Sequence, residues 1–386
     1  MSATAISAPR TRVGRLLQSA REPMPRTTDF KILWVLIIIL NLFGLLMILS
    51  ASSVTALYQY GSSWYQFRLQ VGWFVLACGA MFFTSRFPYE QLSKWMKPLL
   101  FATAGLMVAV LIPGLGVSVN GSARWLGWGP LRLQPSELAK LAVILYAADT
   151  LTRRVGQIRD WKVVMRPIAV VFCGFAALLM LQPNLGTTII LATIVLVMLY
   201  VGGVPGKPLA LFSGLLVGLA TVFAFTEPYR VRRLMAFADP WADPLNTGFQ
   251  TIQSQVGFAN GGILGTGLGQ GRAKWGFLPE AHTDFIYAII GEEIGLIGSV
   301  LVIGLFLAFA LFGVRTALRA RDRFGMLLAT GITTWILIQA FVNVGACVGV
   351  LPITGVPLPF VSAGGSSLIF TMAASGILLN IARQER

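Results

Sequence analysis

The stretch Ile32-Leu-Trp-Val-Leu-Ile-Ile-Ile-Leu-Asn-Leu-Phe-Gly-Leu-Leu-Met-Ile-Leu-Ser-Ala51 holds no charged residue in twenty positions. A helix advances about 1.5 Å per residue, so about 20 apolar residues are needed to cross the hydrocarbon of a bilayer. The stretch therefore reads as a membrane-spanning helix. Five arginines precede it (Arg10, Arg12, Arg15, Arg21 and Arg26), with no apolar core before Ile32. A cleavable leader carries its apolar core close behind its basic residues and ends on small residues, so this helix is expected to stay in the chain.

The pattern recurs outward from there. Further apolar segments cover 69–85, 95–112, 136–151, 163–181, 185–202, 208–226, 285–314, 325–350 and 361–382. The segment at 136–151 is the weakest, because it contains Lys140 and Asp149. The one at 285–314 is over-long and should tilt or protrude. Composition agrees: 56% of the chain is hydrophobic and 12% is charged. A soluble domain carries about 25% charged residues, so this chain could not cover a water-facing surface. The expectation is an all-α polytopic membrane protein with ten transmembrane helices.

Basic residues orient it. Loops carrying excess Lys and Arg stay on the cytoplasmic side. A cytoplasmic N-terminus places 21 of the 30 basic residues inside and eight outside, with Lys140 in a span. Both termini are then cytoplasmic. A basic tail (1–31) precedes the ten-helix domain (32–383), and 384–386 form a cytoplasmic end. The longest loop, 227–284, faces outward between the seventh and eighth helices. The net charge of +15 invites a nucleic-acid partner. The basic residues are instead dispersed between apolar segments, so none is expected. Cys78, Cys173 and Cys347 lie far apart in apolar stretches, with no disulfide or zinc spacing.

The eight outward cations are Arg68, Arg124, Arg132, Arg230, Arg232, Arg233, Arg272 and Lys274. They read either as anchors for anionic headgroups or as a site for a phosphorylated substrate. Arginine suits the second role because its planar fork donates two parallel hydrogen bonds to phosphate. The run Tyr229–Pro244 alternates cations with apolar residues and reads as an amphipathic segment in the interface. The glycine run Gly261–Gly271 follows no strand and opens no βαβ unit, so a nucleotide loop is rejected. It reads equally as an amide nest near phosphate or as a loop hugging the membrane. Arg124-Trp125 combines a cation with an indole, a surface suited to sugar and phosphate.

Glu137 and Lys140 are three apart and share a helix face. Ser366 and Ser367 end a Gly/Pro-rich loop of the irregular kind that lines cavities in membrane proteins. The segment Leu278-Pro-Glu-Ala-His-Thr-Asp-Phe285 holds the single histidine, His282, with Glu280 and Asp284. Ionisable groups beside an apolar helix are costly and mark functional sites. With Pro279 in a first helical turn, Glu280 and Asp284 would sit about 6 Å apart at i and i+4. Glu292 would lie about 12 Å deeper. Glu292 and Glu293 are then expected to pair inside the bundle, with Lys140 as a candidate partner. A single carboxylate could deprotonate a sugar hydroxyl if the leaving group were a pyrophosphate. Such a group departs as a stable anion and needs no protonating acid. Cations, and a divalent ion such as Mg or Mn, would stabilise the departing charge.

These motifs resemble the SEDS family (shape, elongation, division, sporulation). The resemblance rests on Leu278–Gly295, Asn120-Gly-Ser-Ala-Arg-Trp125, Gln134-Pro-Ser-Glu-Leu-Ala-Lys140, Gln182-Pro-Asn-Leu-Gly-Thr187 and Leu358–Ser367. They occur in order over nearly the whole chain from about residue 30. Pro228–Phe237 with the following Asp-Pro-Trp-Ala-Asp-Pro is similar to the division branch more than the elongation branch. The resemblance implies a peptidoglycan glycosyltransferase of the cytoplasmic membrane, acting at the division septum. It implies lipid II as substrate, and a class B penicillin-binding protein (the transpeptidase) and other divisome proteins as partners. The family's essential outer-loop aspartate maps onto Asp284. Asn184 stands where the family usually has Asp, and Ala363 where it usually has Tyr. Two rival readings are a lipid II transporter working through Glu137, Lys140, Glu292 and Glu293, and a non-enzymatic scaffold for the transpeptidase.

Overall fold

The stretch Ile32–Ala51 lies within α1 (Thr28–Tyr60), a helix of 33 residues in a computed structural model of the chain. The structure describes residues 27–119, 122–129, 131–226 and 228–384. Arg10, Arg12, Arg15, Arg21, Arg26 and Arg386 of the expected terminal segments, and Asn120 and Gly121 of the loop motif, lie outside the described residues. The Thr27 side chain caps α1 by accepting from Phe30 N at 3.1 Å, and Gly61 ends it with φ of 70°. Only glycine adopts that left-handed backbone without a Cβ clash. Asn41, buried in the middle of α1, donates to its own Ile37 carbonyl at 2.7 Å. The amide donor of a polar residue inside an apolar helix is thereby satisfied locally, whereas Asn41 Oδ1 is buried with no hydrogen-bond partner among the described residues.

The helices that follow are α2 (Tyr65–Arg86) and α3 (Leu92–Leu111). Three strands come next: β1 (Gly116–Val119), β2 (Ser122–Trp128) and β3 (Leu131–Leu133). Then come α4 (Pro135–Arg153), α5 (Trp161–Leu181), α6 (Leu185–Val201) and α7 (Gly206–Thr226). The longest connection contains α8 (Pro228–Ala238) and α9 (Phe249–Gly261). The chain ends with α10 (Ile286–Glu293), α11 (Gly295–Arg319), α12 (Arg323–Val348) and α13 (Gly365–Arg383).

Among the described residues, eight helices are long and apolar enough to cross a membrane. The other two of the expected ten are α4 and α6. At 17 residues, α6 spans about 26 Å, and it is apolar throughout. By contrast, α4 fails on hydropathy because it sits in the middle of the bundle, buried on every side, with Glu137, Lys140 and Asp149 all enclosed. Its alanines, Ala139, Ala142, Ala147 and Ala148, let neighbouring backbones approach closely.

The fold is not all-α. Strands β1, β2 and β3 form an antiparallel meander, pairing Gly116 with Leu126 and Leu126 with Leu133. Strands of three to seven residues are too short for alternation to stand out from the apolar segments around them. The over-long eighth span is not one continuous helix. Residues 279–285 form a turn rather than the start of a helix, with Glu280 at φ of 56°. The span then breaks between α10 and α11 at Gly295, φ 75°.

The glycine run closes that break. Thr266 N and Gly267 N donate to Glu292 O and Glu293 O, and Leu296 N donates to Gly262 O. A Cβ on Gly295 would lie 2.4 Å from Gly265 N, so the close approach requires glycine. Backbone groups freed by a broken membrane helix must be satisfied inside the protein. Here the strap supplies those partners, in place of the phosphate nest or membrane-hugging loop.

At the end of the bundle away from the sheet, buried Asp29 of α1 meets Arg315 and Arg319 of α11 at 3.4 and 3.2 Å.

Candidate active site

At the sheet-bearing end the bundle opens into a cavity of about 330 Å³. That lies within the roughly 300–1,000 Å³ typical of ligand pockets. It is built by segments distant in sequence. From α2 come Gln66, Leu69, Gln70 and Trp73; from β2, Arg124 and Trp125; from β3, Arg132; and from α8, Arg233. The turn before α10 contributes Glu280, Thr283 and Asp284. The segment before α13 contributes Thr354, Gly355, Pro357, Ala363 and Gly364, and the first turn of α13 contributes Gly365, Ser366 and Ser367.

Asp284 is half-buried at the inner wall. Burial pushes its carboxyl up to about 6, the Glu280 charge adds to the rise, and Arg233 and Arg124 oppose it. Desolvation disfavours the ionised form, whereas neighbouring cations favour it. Glu280 stands at the exposed rim, where it accepts from Thr283 Oγ1 at 2.9 Å. The two carboxylates share one cavity, although the helical i, i+4 spacing expected of them is absent.

The arginines are oriented by main-chain carbonyls. Arg124 Nε donates to Gln182 O at 3.2 Å, and its Nη2 donates to Pro183 O. Arg132 Nε donates to Gly129 O at 3.0 Å. Arg233 Nη1 donates to Ile353 O at 2.9 Å. Each guanidinium is thus tethered to a loop on the cavity wall. Three cations and two carboxylates line one space, so it favours an anionic ligand beside a group able to accept a proton.

His282 lies behind this wall. Its Nε2 is 3.2 Å from Gln66 Nε2. Burial lowers its pKa, against an opposing effect of Glu280. The neutral ring accepts from the Gln66 amide, so His282 supports a lining residue.

The remaining expected cations go elsewhere. Arg230 donates to Phe223 O at 2.9 Å. Arg230, Arg232 and Arg272 are absent from the cavity lining, and the Arg232 and Arg272 side chains are exposed. Lys274 is buried and meets Glu293 at 2.8 Å and Ser50 Oγ at 3.1 Å. Glu292 accepts from Arg272 N and Ala273 N at 2.9 and 3.0 Å. The expected partnership of Glu292 and Glu293 with Lys140 is therefore corrected: both carboxylates hold the strap and Lys274. Lys140 instead meets Glu137 at 2.8 Å and Gln339 Oε1 at 2.7 Å. Helical spacing alone could not reveal this, because the strap returns to Glu292 from 20 residues away in sequence.

Ser366 and Ser367 line the cavity and also hold its floor. Ser366 Oγ accepts from Gln134 N at 3.0 Å, and Ser367 Oγ donates to Glu137 at 3.1 Å. Sequence reasoning missed Gln66, Gln70, Trp73 and Thr354 as lining residues. Trp73 is inserted so closely that a Cβ on Gly365 would fall 2.3 Å from its ring. Two glutamines and a tryptophan at the start of an apolar span were the available signal. Beside the main cavity lies a smaller one of about 150 Å³, lined by Trp73, Arg132, Leu133, Ser366, Ile369 and Phe370. Ile369 and Phe370 make it largely apolar.

Among the described residues, no three His, Cys, Asp or Glu side chains gather as a metal-ligand set. Glu280 and Asp284 alone do not make a protein-built site for the divalent ion expected from the sequence.

A family model described as a cell cycle protein family, covering FtsW, RodA and SpoVE, matches residues 30–386. A Geobacter metallireducens protein named probable peptidoglycan glycosyltransferase FtsW is 41% identical over 355 residues, covering 92% of this chain and 95% of that one. The fold matches a chain in a peptidoglycan synthase complex described as coordinating polymerisation and crosslinking. That match has a TM-score of 0.74 and 30% identity, covering 91% of this chain and 97% of that chain. It also matches the crystal structure of Thermus thermophilus rod shape determining protein RodA. There the TM-score is 0.68 and the identity 27%, covering 92% and 96%.

Proposed function

The chain belongs to the FtsW, RodA and SpoVE family of cell cycle proteins, and from that membership and the Asp284 cavity we propose how its reaction is carried out. It is a peptidoglycan glycosyltransferase of the FtsW kind and a multi-pass membrane protein. In our reading the substrate is lipid II, a disaccharide-pentapeptide on undecaprenyl pyrophosphate. Asp284 accepts the proton of the acceptor GlcNAc 4-hydroxyl. The oxygen forms its bond to the donor MurNAc C1 with inversion, as the bond from C1 to the pyrophosphate oxygen breaks. The pyrophosphate leaves as an anion, held by Arg124, Arg132 and Arg233, so no acid is required.

The observation that carries this reading is a half-buried carboxylate with raised proton affinity facing three tethered arginines in one cavity. The apolar side cavity at Ile369 and Phe370 suits the first isoprene units of the donor tail, with Arg132 lining both it and the main cavity. Glu137, Lys140 and Glu293 are engaged in buried ion pairs, and each oxygen of Glu292 accepts from a backbone donor. That closed arrangement favours the enzyme over a transport path through these groups. The test is purified full-length chain with its transpeptidase partner and lipid II. Glycan strands are expected, and folded protein that yields none overturns the activity.

We further propose ten membrane helices with both termini cytoplasmic and the Asp284 cavity at the outer face. Helices α8 and α9 would lie at that face. The partner would be a class B penicillin-binding protein within the divisome, and the site of action the septum. Single cysteines at Ser62 and Leu245, in a background lacking Cys78, Cys173 and Cys347, should react with an impermeant maleimide added outside cells. A cysteine at Arg159 should not react, and the reverse labelling would overturn the orientation.

A further inference from the structure

The turn carrying Asp284 is pinned through consecutive main-chain carbonyls. His282 O accepts from Ala363 N at 3.0 Å. Thr283 O accepts from Ser362 Oγ at 2.6 Å. Asp284 O accepts from Asn343 Nδ2 at 2.7 Å. Two of these donors are side chains, and both are buried, Asn343 at 2% and Ser362 at 5% exposure.

Each of the two side chains also holds the segment on the other side of the carboxylate. Asn343 Nδ2 donates to Val356 O at 2.8 Å. Ser362 Oγ accepts from Leu358 N at 2.8 Å. An amide and a hydroxyl are the groups that can bridge two backbone segments in this way, because each makes more than one hydrogen bond. Gly355, at φ 70°, immediately precedes the second of these segments. A Cβ there would stand 3.5 Å from Asp284 Oδ2, so this backbone passes directly beside the carboxylate.

We propose that Asn343 and Ser362 are positioning residues for glycosyl transfer: by bridging the 282–284 turn to the 356–358 segment they set where the Asp284 carboxylate stands in the cavity. The inference rests on Asp284 being the base. A reacting group displaced by about 1 Å costs on the order of 10²-fold in rate, because the near-attack geometry is lost. Neither residue lines the main cavity, so loss of either should spare substrate affinity. The charged and titratable groups around Asp284 are Glu280 and His282 on its own turn, Arg124 on β2, Arg233 on α8 and Cys347 on α12. A loosened carboxylate would move toward water and lose part of the burial that raises its proton affinity.

The test measures initial polymerisation rate against lipid II concentration and pH, using the full chain with its transpeptidase. Ser362→Ala and Asn343→Leu are expected to lower kcat about 10- to 100-fold with KM little changed. Both should shift the ascending limb of kcat to lower pH. Ser362→Thr, which keeps the hydroxyl, should restore rate and limb. Ser362→Ala removes a single oxygen and carries the test if Asn343→Leu does not fold. An unmoved limb, a loss confined to KM, or Ser362→Thr behaving as Ser362→Ala would overturn the inference. Asp284→Asn run alongside separates the two claims. Wild-type activity in that variant overturns the base itself. An inactive Asp284→Asn with unmoved limbs in the other variants overturns the positioning role alone.

Discussion

Asp284→Asn should reduce glycan-strand synthesis by about 10²- to 10⁴-fold, the usual contribution of a positioned general base. The amide keeps the shape of the side chain but cannot take the acceptor proton at pH 7. Arg124 and Arg233 are tethered to carbonyls of other segments and Arg132 to the turn of its own hairpin, none of them through Asp284, so the variant should still bind lipid II. The pH profile supplies an independent check. The base works ionised, and burial holds the Asp284 pKa up to about 6. Wild-type kcat should therefore rise with pH through about 6 and level off above it, since below that value the carboxylate is protonated. Strand synthesis by purified Asp284→Asn at the wild-type rate would remove Asp284 from the chemistry.

Lys140→Met should destabilise the bundle by about 3–5 kcal/mol, because removing one partner of a buried ion pair leaves an uncompensated charge. Lys140 is 1% and Glu137 2% exposed. The single replacement leaves the Glu137 carboxylate with Ser367 Oγ at 3.1 Å and no cation. Glu137→Gln combined with Lys140→Met removes both charges and should recover most of the loss. Thermal unfolding in detergent measures both variants. A folded fraction of Lys140→Met should still polymerise lipid II, since the pair lies beneath the cavity floor and not in it. If Lys140→Met were as stable as the wild type, the pair would not be structural. If it folded without function while Asp284→Asn worked, the transporter reading would replace the enzyme.

Much of the fold was legible because the membrane imposes a length scale that each segment meets alone. Ile32–Ala51 announced a spanning helix from composition only. The α4 segment hid its central place because its enclosed polar groups lowered its hydropathy. The β1–β3 meander hid for the opposite reason, its strands being too short to show a period. The break at Gly295 was masked by apolar residues on both sides. What closes it is a glycine strap whose hydrogen bonds no local pattern encodes.

Within the site, Asp284, Glu280, Arg124, Trp125 and Arg233 stood out in sequence as charged or aromatic residues beside apolar spans. Their grouping did not. Eight cations were eligible by orientation, and the fold brings three of them (Arg124, Arg132 and Arg233) to the cavity. Lys274 had the same credentials and is enclosed with Glu293 instead. Gln66 reaches His282 across 216 residues of chain, and Asn343 reaches Asp284 across 59.

By itself, then, the sequence determined that this is a many-helix membrane protein with a costly carboxylate at the edge of a span. Hydropathy and charge are properties that a segment carries with it. The tertiary structure alone decided which arginines face Asp284, which carboxylates are structural, and what holds the Asp284 turn in place. Those are contacts between segments far apart in the chain, and their energy exists only once the helices have packed.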